Sequence, residues 1–275
     1  MKTCAQIIGC ALWAPHLQSA GAWLEWARTG AAVPEGPEPK AAAATVAPML
    51  RRRLTPLGRA AEETAGRFPQ ALSDDGTALV FASRWGDIAE ARRELLSLAA
   101  GTGVSPTVFA TSVHNGIAAV LSIAHRHHGF QTAVAAGPFS LEAGFASAVG
   151  LLSEYRRVLL VSYDSRSPDA FQEKNTFTHA AAFLLEPQCE DGPEDVFRER
   201  WNRGPFAAVT TRALLPDETP DPRLDKLTGT ADLDVIRWLL ASDEPFLTRR
   251  DRHAAWVWAK SGAVTPNLLA DGAGA

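Results

Sequence analysis

Three features of the sequence predict an α/β layered fold. Four apolar stretches, 5–13, 77–83, 156–164 and 178–186, run without polar–apolar alternation, as strands covered on both faces do. Segments with helical spacing, such as 86–101, lie between them, so strands and helices alternate along the chain. The third feature is the stretch TAVAAGPFSLEAGFASAV, residues 132–149. Small β-compatible residues lead through Ala135, Ala136 and Gly137 into helical spacing at Leu141, Phe145, Ala148 and Val149. Strand, tight turn and helix in that order is how several α/β enzymes present a nucleophile, yet the turn here carries Gly137 and Pro138.

Taken in order, Ala5 to Trp13 reads as a first buried strand. The N-terminus has the outline of a signal peptide, but it holds one lysine, Gln6 interrupts its apolar part, and Pro15 and His16 follow. A cytoplasmic protein is expected. Residues 22–28 form a short helix with Trp23 and Trp26 on one face. Residues 29–48, rich in Ala, Pro and Gly, read as a flexible surface loop. Helical periodicity returns from Met49 and is interrupted at Pro56. The strand at 77–83 leads to a helix over 86–101, with Asp87 as N-cap and Gly101 as stop. Residues 105–129 begin as a Pro-initiated turn and become one apolar helix. Its small residues Gly116, Ala118 and Ala119 let another backbone approach closely. A strand over 131–137 precedes the elbow, and Ser140 reads as N-cap of the helix after it.

Strands at 156–164, ending in Asp164, and at 178–186 complete this part. After Pro187 the chain turns to Pro, Asp, Glu and Arg with short apolar clusters. A helix is expected over 232–243, an edge strand over 253–260, and disorder over 270–275. The division expected is one domain over 1–187 and a divergent region, 188–275, packing on the same core.

Composition excludes several classes. The 275 residues, 46% hydrophobic and 21% charged, suffice for a substantial core. A net charge of −4 argues against nucleic-acid binding. The one basic run, Arg51 to Arg53, suits a solvated helix face or a partner contact. Cys4, Cys10 and Cys189 are odd in number and irregularly spaced, which is neither a disulfide framework nor a zinc site, and fits a reducing compartment. No apolar run reaches the roughly 20 residues of a membrane span.

Candidate chemistry is sparse. His125 and His128 have the spacing of helical metal ligands, but with His127 they lack an acidic partner nearby and read as a surface helix end, so no metal is expected. Ser140 lies in GPFSLEAG, where the Gly-x-Ser-x-Gly pattern of a hydrolase elbow fails on both sides. His114 and Asn115 open an apolar helix and suit a cap, a buried hydrogen-bond pair or a cleft feature alike. No phosphate-cradling loop is present; GTG at 101–103 is too short.

The segments VFASRWGD, SPTVFATSVHN, TAVAAG and VLLVSYD together resemble the N-terminal half of a β-ketoacyl synthase. They are most similar to the short chain-length-factor proteins of aryl polyene and related pigment pathways. AQIIGCALWAP with WLEWA fits as well. The resemblance covers roughly residues 1–187, with a terminal WVW beyond it. It implies a thiolase-like fold whose central strands pair across a dimer. Active ketosynthases carry on the elbow a cysteine that takes the acyl chain from acyl carrier protein, and two histidines of the second half support condensation. TAVAAG sets Gly137 at that cysteine position, or Pro138 in a register shifted by one, and the region after 187 holds one histidine, His253. The resemblance therefore implies a non-catalytic subunit without cofactor, paired with an active β-ketoacyl synthase and reached by acyl carrier protein through the complex. Strand 131–137 would pair antiparallel with its counterpart. Residues 105–116 would line the acyl tunnel, with Val108, His114, Asn115, Gly137 and Phe139 as interface and tunnel residues. Two other readings remain open: a hydrolase or acyltransferase using Ser140, His114 and Asp164, and a lipid- or small-molecule-binding protein.

Overall fold

Strand β1 (Cys4–Trp13) lies inside the sheet, and its alternate side chains face two separate cores. Ala5, Ile7 and Cys10 face one; Ala11 and Trp13 face the other. The computed structural model describes residues 4–31, 33, 38–166, 177–187, 207–213, 231–250 and 254–261. In chain order after β1 come α1 (Ala20–Thr29), α2 (Pro48–Arg51), α3 (Pro56–Ala65), α4 (Pro69–Ser73), β2 (Thr77–Ala82), α5 (Ile88–Ala99), α6 (Pro106–Ser112) and α7 (Gly116–His125). Then follow β3 (Gln131–Val134), a 3-10 turn (Gly137–Phe139), α8 (Ser140–Leu151), β4 (Arg157–Asp164), β5 (His179–Pro187) and β6 (Ala207–Ala213). The last elements are α9 (Ala231–Ala241), β7 (Phe246–Arg250) and β8 (Ala255–Ser261).

The strands form one eight-stranded sheet in the order β3-β2-β4-β5-β1-β6-β8-β7. β2 is parallel to β3 and β4, and every other pairing is antiparallel. Helices α1, α8 and α9 cover one face; α3, α4 and α7 cover the other over β2, β4, β5 and β1. This is the thiolase-like α/β arrangement. Trp23 and Trp26 share a face of α1 as expected, with ring centroids 5.3 Å apart, and meet Phe177. Gly144 lets α8 lie on the sheet: a Cβ there would stand 2.7 Å from that of Ala82.

Several expectations are corrected. Residues 105–129 are two helices, because Val113 is extended and breaks the run before Asn115. Gly116 accommodates the return, with the Thr111 carbonyl 2.5 Å from where a Cβ would be. The stretch read as a flexible loop buries Ala41, Ala43 and Val46 against α3 and α7, since small apolar residues fill space between helices without needing regular structure. Within it, residues 32 and 34–37 lie outside the described residues. β8 is not an edge strand; β7, unforeseen in the sequence, takes that place, and β6 was equally unforeseen. Cys189, His253 and 270–275 lie outside the described residues.

Candidate functional site

The turn between β3 and α8 is built as an elbow. β3 ends at Val134, Ala135 and Ala136 are exposed, and Gly137 turns the chain at φ +58°, where residues with a side chain are strained. A Cβ at Gly137 would meet nothing within 4 Å, so the space where a side chain would project is open. Neither Gly137 nor Pro138 offers a nucleophile.

Ser140 is the first residue of α8 and not its N-cap, which is Phe139. Its hydroxyl reaches back, accepting from the Ala136 amide at 3.0 Å and donating to the Gly137 carbonyl at 2.8 Å. It fastens the turn. His114 donates from Nε2 to the Ser83 carbonyl at 2.9 Å, pinning the α6–α7 break to the end of β2. Asp164 accepts from Ser83 Oγ at 2.9 Å and from the amides of Arg84 and Trp85. Burial, then the charge of Asp232, pushes its carboxyl up to about 6. Among the described residues no hydrogen bond joins Ser140, His114 and Asp164, and each is committed elsewhere, so they do not form a triad.

The other sequence-predicted residues divide by exposure. Val108 is half-buried on α6, His114 is half-buried, and Asn115 is exposed. Phe139 turns inward and is 6% exposed. Outward on α5, on α6 and just after α6 stand apolar side chains that the sequence did not single out: Leu95, Leu98, Phe109 and Val113. Exposed apolar surface on packed neighbouring helices marks an interaction face.

Beneath the elbow lies a buried charged network, also unforeseen. Asp232, in the first turn of α9, accepts from Ser162 Oγ at 2.7 Å and from His179 Nε2 at 2.8 Å. His179 Nδ1 faces the Phe177 carbonyl at 2.9 Å. With acceptors at both nitrogens, the ring is an imidazolium. Burial works against that charge, but Asp232 outweighs it and the pKa rises to about 9. Burial likewise works against the Asp232 charge, and His179 outweighs it, leaving Asp232 below the usual range. On the other side, Arg249 of β7 pairs with Glu142 in the first turn of α8 and donates to the Pro138 carbonyl at 2.8 Å. Trp258 Nε1 of β8 also donates to Glu142, at 3.2 Å. Burial pushes the Glu142 carboxyl up and Arg249 opposes it.

Burial governs the cysteine and one histidine expectation. Cys10 is buried, and burial pushes its thiol up to about 12, which keeps it in the protonated, less reactive form at neutral pH. The histidine run is not a surface helix end throughout. His125 bonds the fully buried Glu62 at 2.9 Å and His127 is buried, while His128 is exposed and its backbone amide binds Asp75. Among the described residues no group of three or more His, Cys, Asp or Glu could hold a metal ion. None of the described helices is long and apolar enough to cross a membrane.

Sheet order, elbow and flanking helices define a ketosynthase-type α/β domain. The chain belongs to the family described as "Beta-ketoacyl synthase, N-terminal domain", whose model matches residues 23–259, past residue 187 and into β8. Among solved structures it is similar to the complex of a ketosynthase (ApeO) with its chain length factor (ApeC) from Xenorhabdus doucetiae. That match has a TM-score of 0.69 at 23% identity and covers 94% of this chain and 99% of the other. The ishigamide ketosynthase/chain length factor matches with a TM-score of 0.64 at 15% identity, over 93% of this chain and 98% of that one. The AntDE:AntF complex, a type II polyketide synthase acyl carrier protein with its ketosynthase, matches with a TM-score of 0.63 at 10% identity, over 94% and 99%. At these identities the likeness is one of fold. No curated protein matches the chain significantly.

Proposed function

We propose that this chain is a non-catalytic subunit of the chain-length-factor kind. It pairs with an active β-ketoacyl synthase and shapes its acyl tunnel in type II polyketide or fatty-acid-like biosynthesis, of which aryl polyene formation is the case its sequence most resembles. The observation that carries this reading is an elbow kept in shape, with φ +58° at Gly137, beside an open sheet edge and without a nucleophile in the turn. In this reading residues 1–187 are the ketosynthase-type domain and 188–275 pack on the same core. The protein works in the cytoplasm, and acyl carrier protein reaches it through the complex.

The edge supports the pairing in detail. Among the described strands β3 is the outermost, bonded to β2 and to no other. The carbonyls of Phe130 and Val134 accept from Leu79 and Ser83 of the β2 segment. Alternate residues of a parallel strand point their backbone groups the same way, so Gln131, Ala133 and Ala135 present theirs outward. A second strand can add there, bringing α6 beside the partner. Val108, His114 and Asn115 then stand along the tunnel. Phe139, turned inward, acts through the shape it gives the turn.

Co-expression with an active β-ketoacyl synthase from the same source, followed by size exclusion with mass determination, tests the reading. A one-to-one complex is expected. Ala133→Pro, which removes an outward amide but no bond to β2, should abolish pairing and leave the chain folded. A wild-type monomer beside an untouched ketosynthase homodimer would refute the proposal. Val108→Trp should shorten the product of an intact complex.

A further inference from the structure

We infer that Arg249 is a positioning residue for the elbow, through which the C-terminal hairpin β7–β8 sets the shape the turn offers to the tunnel. The inference builds on the subunit reading above; its local part does not need it.

Arg249 sits on the edge strand β7, yet it is 6% exposed. Its guanidinium runs under the elbow and makes three contacts there. Nη2 donates to the Pro138 carbonyl at 2.8 Å, Nη1 pairs with Glu142, and the guanidinium carbon stands 5.4 Å from the centre of the Phe139 ring. Trp258 of β8 adds a donor to the same Glu142 oxygen, and its ring lies 5.0 Å from Phe145, one turn further along α8. Both strands of the hairpin thus grip the first turns of the elbow helix.

The turn has few other holds. Phe139 caps α8 without a side-chain hydrogen bond, Ala135 and Ala136 are exposed, and nothing lies near Gly137 on its open side. Among the described residues, side-chain hydrogen bonds to the backbone of 135–139 come from Ser140 and Arg249 alone. Ser140 closes the turn on itself; Arg249 ties it to the rest of the fold.

The chemistry suits geometry better than stability. A buried ion pair gains little over apolar residues of equal volume, because both charges must leave water. The planar fork of an arginine does fix two acceptors at a set distance and angle, which a lysine cannot. Here the two acceptors are the carbonyl of the turn and the carboxylate of the helix it opens.

The test uses Arg249→Lys and the double variant Arg249→Met with Glu142→Gln, which removes both charges together and avoids a stranded one. Hydrogen exchange by mass spectrometry on the chain alone reads the local part. Peptides covering 135–145 should exchange about tenfold faster in the double variant, with Arg249→Lys between it and wild type, while β4 and β5 stay protected. Unchanged exchange at the elbow, or faster exchange throughout the chain in both variants, would overturn the inference. In the ketosynthase complex, both variants should form at wild-type yield and give a broader range of product lengths. Faster elbow exchange with an unaltered product range would overturn the link to the tunnel. A wild-type chain that fails to pair would sink the subunit reading, with the exchange result standing on its own.

Discussion

Replacing His179 with glutamine removes a buried imidazolium, and the cost should depend on pH. The ring donates to the Phe177 carbonyl and to Asp232, and a glutamine cannot supply both donors with a charge. Burial alone would lower the pKa of His179; Asp232 overcomes this and carries it from 6.5 to about 9. The folded value lies above the unfolded one. The stabilisation is therefore complete below pH 6.5, declines as pH rises, and is gone above about 9. At about 1.4 kcal/mol for each tenfold of proton affinity, the full contribution is about 3 kcal/mol. Urea unfolding of wild type and His179→Gln at about pH 6, 7.5 and 9.5 reads it. The variant should be about 3 kcal/mol less stable at the lowest pH and close to wild type at the highest. Other groups titrate in the same experiment. Asp164, raised from 3.8 to about 6, favours the folded state below 3.8 and loses that by 6. Lys260, lowered by burial from 10.5 to about 8, acts in the opposite sense, with stability rising between those values. Lys260 titrates alike in both proteins, while Asp164 and Asp232 feel the His179 charge, so the difference reports the buried cluster with the imidazolium at its centre. A gap that stays constant across the range would refute the imidazolium.

Two glycines should respond to alanine for different reasons. Gly137→Ala meets open space and pays only for its positive φ, about 1 kcal/mol by thermal unfolding. Gly144→Ala gains about 1 kcal/mol of helix propensity but drives a methyl into Ala82 and Leu160, and overpacking of about 1–3 kcal/mol should leave it destabilised. Cys10, buried and pushed up to about 12, should resist alkylation at neutral pH until the chain is unfolded, as read by peptide mass. Phe109→Asp, at a residue 59% exposed, should leave the melting of the isolated chain within about 0.5 kcal/mol of wild type and weaken pairing with the ketosynthase.

The sequence carried β1, β2, β4 and β5 because each is an apolar run long enough to be buried on both faces, and β3 through the small residues that lead into the elbow. β2, for example, is buried at every residue. It carried the elbow because small residues followed by helical spacing have few other uses. It did not carry β6 or β7. Thr210, Thr211, Thr248 and Arg249 give those strands a polar texture, and what makes them regular is pairing with β1 and β8 for β6 and with β8 for β7. The charged network was hidden for a related reason. Glu142, His179, Asp232 and Arg249 come from four elements, and each looked locally like a helix-start acid, a strand-opening polar residue or a surface charge. The one available signal was a histidine opening the apolar strand HAAAFLLE. The triad of Ser140, His114 and Asp164 failed on the same grounds in reverse: residue types that could cooperate are each held by a backbone group close at hand.

The elbow needs no side chain at Gly137 for its own structure, because nothing in the turn would lean on one. Its open side contacts no neighbour, while its inner side is held by Ser140 and Arg249 and backed by Phe139. Glycine is also the residue that the φ of +58° accepts most readily, so the turn is relaxed where a side chain would be strained. In an enzyme that strain is part of how a nucleophile is presented. In the proposed subunit, which would shape its partner without a nucleophile of its own, that strain would serve nothing, whereas the sheet edge, the helix start and the buried charges beneath them would still be needed.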